Sequence, residues 1–218
     1  MPGTTITIKT KESSSIEQSH LLLVEGMDDA NFFAALLKDL NLNDIEIWPI
    51  GIGRNFKVRL GTLRKLSGFA RVKSIGVIRD ADDNPSSAFE SVCQALKDNE
   101  LYAPDSYGCR STGTPVTSIL ILPDGMSSKG MLESLCLRAI KDDPVMSCID
   151  GYFDCIYRCG IDQREVVKDK AKIHVYLASQ NEPDKRLGES AQANYWKGKF
   201  YNEVFDNVKR FLFEIGNT

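Results

Sequence analysis

The chain of 218 residues carries only two histidines, His20 and His174, and none of its six cysteines form a C-x-x-C pair. Structural zinc sites draw on those two residue types at short spacings, so the composition argues against one. Cys155 and Cys159 are four apart, which on a helix is one face and not a zinc knuckle. No apolar run approaches the ~20 residues needed to span a bilayer. Met1 to Ser19 is polar and lacks the apolar stretch of a signal peptide. The expectation is a cytosolic protein with reduced thiols. The chain has no internal repeat, no low-complexity tract and no Gly-x-x-x-x-Gly-Lys-Ser/Thr, so no P-loop ATPase is read in it.

Net charge is only −3, so no global field draws in nucleic acid and any such binding must be local. One local asymmetry is clear. Between Trp48 and Arg79 there is no Asp or Glu, while Arg54, Lys57, Arg59, Arg64, Lys65, Arg71, Lys73 and Arg79 are all basic. Part of this stretch is the solvated face of a helix. Arg54 and Lys57 follow the Gly51-Ile52-Gly53 turn, and there they are expected to form a basic rim for a phosphodiester or nucleotide.

Hydrophobic periodicity organises the chain. Strands are expected at His20–Val24, Ile45–Ile50, Lys73–Arg79 and Thr117–Leu122, each a short aliphatic run of the kind buried on both faces of a parallel sheet. Helices alternate with them. Phe32, Phe33, Leu36, Leu37 and Leu40 mark one over Met27–Leu40, and others are expected over Phe56–Phe69, Pro85–Asn99 and from Ser127 or Ser128 to Ile140. After Lys141 only helices are expected, near Val145–Cys159, Gln163–Ser179 and Tyr195–Ile215, with a polar loop at Asn181–Gln192. The fold class is therefore α/β, a mostly parallel Rossmann-like sheet of about four strands flanked by helices, with a helical C-terminal extension. Residues 1–19 read as an arm or edge strand, 20–141 as the α/β domain and 142–218 as helices packed on it.

Two acidic clusters sit where strands stop. Val24 is followed by Glu25-Gly26-Met27-Asp28-Asp29, and Ile78 by Arg79-Asp80-Ala81-Asp82-Asp83. Ligands of parallel sheets bind beyond the carboxyl ends of the strands, which is where these acids fall. Asp80 and Asp82 share a side if the strand continues through them, and a loop could arrange the same. Glu25 and Asp29 face one crevice once Asp29 is in the first helical turn. Either cluster alone reads as solvated caps and turn formers. Both together, each after a buried strand, point to a hard divalent cation, because converging carboxylates repel unless a cation holds them. A third segment, Pro123 to Glu133, adds Ser128, Lys129 and Gly130 at a strand-to-helix junction, where free N–H groups suit an anion. Glu133 follows one turn later, near the metal or facing solvent.

Rival readings use the same residues. An EF-hand loop fits Asp80, Asp82 and Asn84 but wants Gly where Pro85 stands and Glu where Ser91 stands. A haloacid-dehalogenase-type phosphatase also places Asp-x-Asp after a strand, but usually with Thr or Val next, where this chain has Asp83-Asn84-Pro85. A receiver-like phosphoacceptor lacks its strand-end lysine.

Val24-Glu25-Gly26 and Asp80-Ala81-Asp82 resemble the motifs of the Toprim domain, shared by topoisomerases, bacterial primases, recombination-repair proteins and OLD-family nucleases. Asp29, four after the Glu, and Gly130-x-x-Glu133 bring it nearer the OLD branch. The whole chain also resembles a small stand-alone Toprim family of uncharacterised function, with Lys172-Ile173-His174 and Arg186-Leu187-Gly188-Glu189 among its late features. The resemblance covers about residues 20–140 at motif level. It implies Mg²⁺, with Mn²⁺ as a substitute, on Glu25, Asp29, Asp80, Asp82 and Glu133. It makes Glu25 a ligand or acid/base group, and a downstream lysine, Lys170 or Lys172, an assisting one. The implied activity is nuclease action on DNA or RNA. The alternatives are a non-catalytic nucleotide- or nucleic-acid-binding module working in a complex, and the phosphatase. OLD nucleases carry an ATPase that this chain lacks, so a protein partner such as an ATPase is implied.

Overall fold

Four short aliphatic segments become strands because each has a hydrophobic layer on both sides. The computed structural model describes residues 6–10, 13–51, 55–161 and 165–217. In it β1 (His20–Val24), β2 (Ile45–Pro49), β3 (Ser74–Asp80) and β4 (Val116–Leu122) form one parallel sheet in the order β2-β1-β3-β4. All three pairings are parallel, with Leu23 opposite Trp48 on one side and opposite Val77 on the other.

Helices cover both faces, as a parallel sheet requires. They are α1 (Met27–Asp39), α2 (Phe56–Arg64), α3 (Pro85–Asp98), α4 (Leu132–Ala139), α5 (Val145–Arg158), α6 (Glu165–Ala178), α7 (Leu187–Gln192) and α8 (Asp206–Gly216). Side chains alternate across the sheet. Leu22, Val24, Ile78 and Leu120 pack with α1 and the helices from α4 onward. Leu21, Leu23, Ile75 and Val77 pack with α2 and α3. The chain leaves β1 for β2 on one side and returns to β3 on the other. The connections therefore diverge between β1 and β3, the place where open α/β sheets bind their ligands.

The helices after residue 141 complete one face of the sheet. Ser74 Oγ donates to the Ile215 carbonyl at 2.8 Å, fixing the end of α8 under β3. Gly76 makes the approach possible, since a Cβ there would sit 2.0 Å from Ile215 Cδ1. At the other edge, Lys9 N–H donates to Ile47 and Ile47 N–H donates to Thr7, each at 2.9 Å. The arm thus adds a parallel fragment outside β2. Glu46, fully buried, anchors the polar segment between this fragment and β1 by accepting from the N–H groups of Glu17 and Gln18, and it also accepts from Trp48 Nε1.

Several expected boundaries shift for local reasons. The segment expected as a loop at Asn181–Gln192 contains α7, whose first turn is capped from a distance: Asp28 Oδ1 accepts from Gly188 N–H at 2.9 Å. The segment expected as one helix from Tyr195 breaks at Gly198, φ 84°, into two short 3₁₀ turns, Lys199–Tyr201 and Glu203–Phe205, before α8. The helix expected from Ser127 or Ser128 starts instead at Leu132, because residues before it bridge back to Asp82. No helix among the described residues is long and apolar enough to cross a membrane.

Candidate metal centre

Four carboxylates surround the divergence point. Glu25 follows directly on β1, Asp29 lies in the first turn of α1, Asp80 ends β3 and Glu133 lies in the first turn of α4. Glu25, Asp29 and Asp80, with Val24, Phe33, Ile78 and Leu122, line a cleft of about 10 Å³. That is the space of roughly one water-sized sphere. Two of the acids are held by backbone. Asp29 Oδ2 accepts from Gly26 N–H at 2.8 Å, and Asp80 Oδ1 accepts from Leu132 N–H at 3.0 Å. Each bond leaves the other oxygen of its carboxylate without a described partner.

Electrostatics records the crowding. Burial pushes the Asp80 carboxyl well above its usual range, and the charges of Asp29, Glu133, Glu25 and Asp82 push the same way. Burial also raises Asp29, to about 6, against the Gly26 hydrogen bond; Glu133 and Glu25 add to the rise. Glu25 stands exposed at the mouth, yet desolvation raises it too, offset in part by Arg79. Burial and like charge both disfavour the ionised form here, and a proton or a cation among the acids relieves both. No three His, Cys, Asp or Glu side chains among the described residues are drawn close enough to enclose an ion as they stand. The donor set is nevertheless all hard oxygen, which fits Mg²⁺ or Mn²⁺ and not a soft metal.

Asp82 joins by a loop and not by a continued strand. β3 stops at Asp80, and Asp82 takes φ 48°, a left-handed conformation that Asp tolerates better than most residues. Two 2.9 Å hydrogen bonds between the backbones of Asp82 and Gly130 hold it there. Its charge bears on both Asp80 and Glu25.

The expected anion cradle at Ser128, Lys129 and Gly130 is corrected. Gly130 N–H is taken by the Asp82 carbonyl, and Leu132 N–H by the Asp80 carboxylate. Ser128 Oγ donates to Asp124 Oδ2 at 3.1 Å, and Arg138 pairs with the same carboxylate. Lys129 is exposed. The start of α4 therefore holds an anion already, and that anion is Asp80. Gly130 itself is required: its φ is 129°, and a Cβ would lie 2.6 Å from Ser134 Oγ.

The basic rim is corrected in part. Lys57 Nζ pairs with Asp98 Oδ2 at 2.8 Å, at the far end of α3. The 14-residue α3 is roughly 20 Å long, so Lys57 lies about a helix length from the crevice. Arg54 falls outside the described residues. The two candidate lysines separate as well. Lys170, on α6, reaches within 3.8 Å of Glu133 Oε1, and its charge bears on Glu25 and Asp28. Lys172 instead pairs with Asp150 and lies 6.0 Å over the Phe153 ring. The two are two apart on a helix, so they point about 200° apart, and that spacing could have excluded one of them. Arg79, which the sequence shows only as one member of the basic stretch, is half-buried and its charge bears on Glu25; its position one residue before the Asp-x-Asp was the available signal.

Residues 19–217 match the profile of DUF3226, described as a protein of unknown function. The chain belongs to this family. The DUF3226 match spans the whole sheet and all eight helices, so the crevice and the α6 lysine fall within one family unit. No curated protein and no solved structure matches the chain.

Proposed function

We propose that this DUF3226 protein is a divalent-cation-dependent phosphodiester-processing enzyme, a nuclease acting on DNA or RNA. The observation that carries the reading is the convergence of Glu25, Asp29 and Asp80 on one small cleft at the divergence point of the sheet, with the Glu133 charge bearing on Asp80. Buried acids of one sign raise each other's pKa values, and such perturbation concentrates at functional sites. The residues that would hold Mg²⁺ or Mn²⁺ are Asp80, Asp29 and Glu133, with Glu25 and Asp82 at the mouth. When bound, the cation supplies Lewis acidity and neutralises charge on a phosphoryl oxygen.

The chain's own groups divide the remaining work. Glu25 is exposed, has a raised pKa, and stands beside the cleft, which suits proton transfer to or from water. Lys170 offers positive charge on the side of Glu133, where a leaving oxygen would develop negative charge. The motif resemblance to Toprim domains agrees with these roles. A phosphatase using Asp80 as nucleophile fits poorly, since that carboxylate is held by Leu132 and crowded by like charges.

The test is cleavage of single- and double-stranded DNA and RNA in Mg²⁺, Mn²⁺ or EDTA, with Glu25→Gln and Asp80→Asn proteins alongside. The expected result is metal-dependent cleavage lost in both variants. Mg²⁺ binding in calorimetry without cleavage would instead favour a binding module that works with a partner such as an ATPase.

A further inference from the structure

Arg79 occupies an unusual place. It is the last residue before Asp80 on β3, the strand that supplies the deepest acid of the crevice. Ile75 and Val77 face α2 and α3, so the alternation sends Arg79 to that side and Asp80 to the other. The register between the two strands ends with Leu23 opposite Val77, and Glu25 and Arg79 each follow two residues later. Neighbouring strands lie about 4.8 Å apart. The guanidinium therefore flanks the mouth of the crevice next to the proposed proton-transfer group, and its charge is felt there.

One donor of the side chain is also unsatisfied. Arg79 Nε is buried and has no hydrogen-bond partner. Among the described residues, no hydrogen bond or ion pair to Arg79 is found, although its charge is felt at Glu25. An arginine serving only to neutralise Glu25 would be expected to bond it. Leaving a charged donor buried and unpaired is unfavourable.

We propose that Arg79 is a phosphate-binding residue of the crevice, contacting non-bridging oxygens of the phosphodiester with its Nη donors. The proposal rests on the phosphodiester reading of the site and adds the residue that selects an anionic ester over a neutral one. A crevice lined by carboxylates in a chain of net charge −3 repels phosphate, so a fixed cation at its mouth is needed. Lys57 is engaged with Asp98, and Lys170 stands on the Glu133 side of the crevice. The guanidinium fork matches two phosphate oxygens at once, which a lysine ammonium does not.

The experiment is anisotropy of fluorescein-labelled single-stranded DNA and RNA dodecamers against wild type, Arg79→Ala and Arg79→Lys over a salt series. Mg²⁺ calorimetry and thermal melting accompany it. Arg79→Ala should weaken dodecamer binding at least tenfold, about 1.4 kcal/mol, and reduce the salt slope by about one. Its Mg²⁺ affinity should be unchanged or tighter, because a positive charge beside the acids has been removed. Arg79→Lys should restore the slope but only part of the affinity. A merely structural role would weaken melting, Mg²⁺ and dodecamer binding together, and that pattern overturns the proposal. Dodecamer binding by Arg79→Ala within twofold of wild type overturns it while leaving the nuclease reading intact. Wild type that binds Mg²⁺ but no dodecamer overturns both. If Arg79→Ala does not fold, Arg79→Lys with undiminished affinity is the overturning result.

Discussion

The backbone N–H of Leu132 donates to Asp80 Oδ1 at 3.0 Å, so the deepest acid of the crevice is also the cap of α4. One carboxylate thus serves a helix end and a site whose other acids repel it. Asp80→Asn separates the two roles, because the amide oxygen still accepts from Leu132 while the charge is gone. In EDTA at neutral pH this variant should melt above wild type. Relief of about 1 kcal/mol corresponds to roughly 2–4 °C for a chain of this size. The same variant should lose the stabilisation that Mg²⁺ gives wild type. A variant that melts below wild type in EDTA would mean that the charge itself stabilises the cap.

The acids also set the direction of pH dependence. Asp29 is raised to about 6 and Asp80 well above its usual range, against about 3.9 for an unfolded Asp. The folded chain therefore binds more protons than the unfolded one over this interval. Stability is fully present below about pH 4 as far as these groups decide it, and is lost as pH rises through 6 and beyond. In EDTA the melting temperature should fall by roughly 5 °C or more between pH 5 and pH 8. Mg²⁺ should flatten that fall, since a cation replaces the protons. A melting temperature that rises across the same interval in EDTA would contradict the crowded-acid account.

The two lysines of α6 give a paired control. Lys170 faces Glu133, whereas Lys172 pairs with Asp150 beside Phe153. Lys170→Met should reduce cleavage by about tenfold or more, the scale of one electrostatic contact to a transition state, with melting little changed. Lys172→Met should leave cleavage near wild type. Equal losses of activity in both variants would remove the distinction drawn from their positions.

Much of the sheet was legible because each strand is a short aliphatic run ending in acids or turn residues. Asp29, Asp80 and Glu133 were legible for the same reason: each follows a strand or opens a helix by a fixed number of residues. What the sequence hid was tertiary. Lys57 looked like part of a rim, but α2 crosses α3 so that the lysine meets Asp98. Gly130 looked like an open anion cradle, but its N–H is taken by Asp82 across the fold. Helix α7 was hidden because its cap, Asp28, lies 160 residues away. Arg79 drew no attention as one of eight basic residues, and only its missing partners single it out.

The last relationship tests whether the C-terminal helices belong to the same folding unit as the sheet. Gly76 sits in β3, where a Cβ would lie 2.0 Å from Ile215 Cδ1, 2.8 Å from Ile215 Cγ1 and 3.1 Å from Phe211 Cζ. Gly76 is buried in a strand of ordinary φ, so glycine is retained there for space and not for backbone freedom. Gly76→Ala should destabilise the protein by about 1–3 kcal/mol, the usual penalty of overpacking. Ile215→Ala alone should also destabilise, by leaving a cavity of its own. Combined, the two should cost less than their sum, because the new methyl occupies space the isoleucine gave up. Denaturant melts of the four proteins decide it. Strictly additive losses would mean that α8 does not press on β3 as described. A single cooperative transition, weakened by both substitutions, would mean that the sheet carrying the acids and the helices after residue 141 stand or fall together.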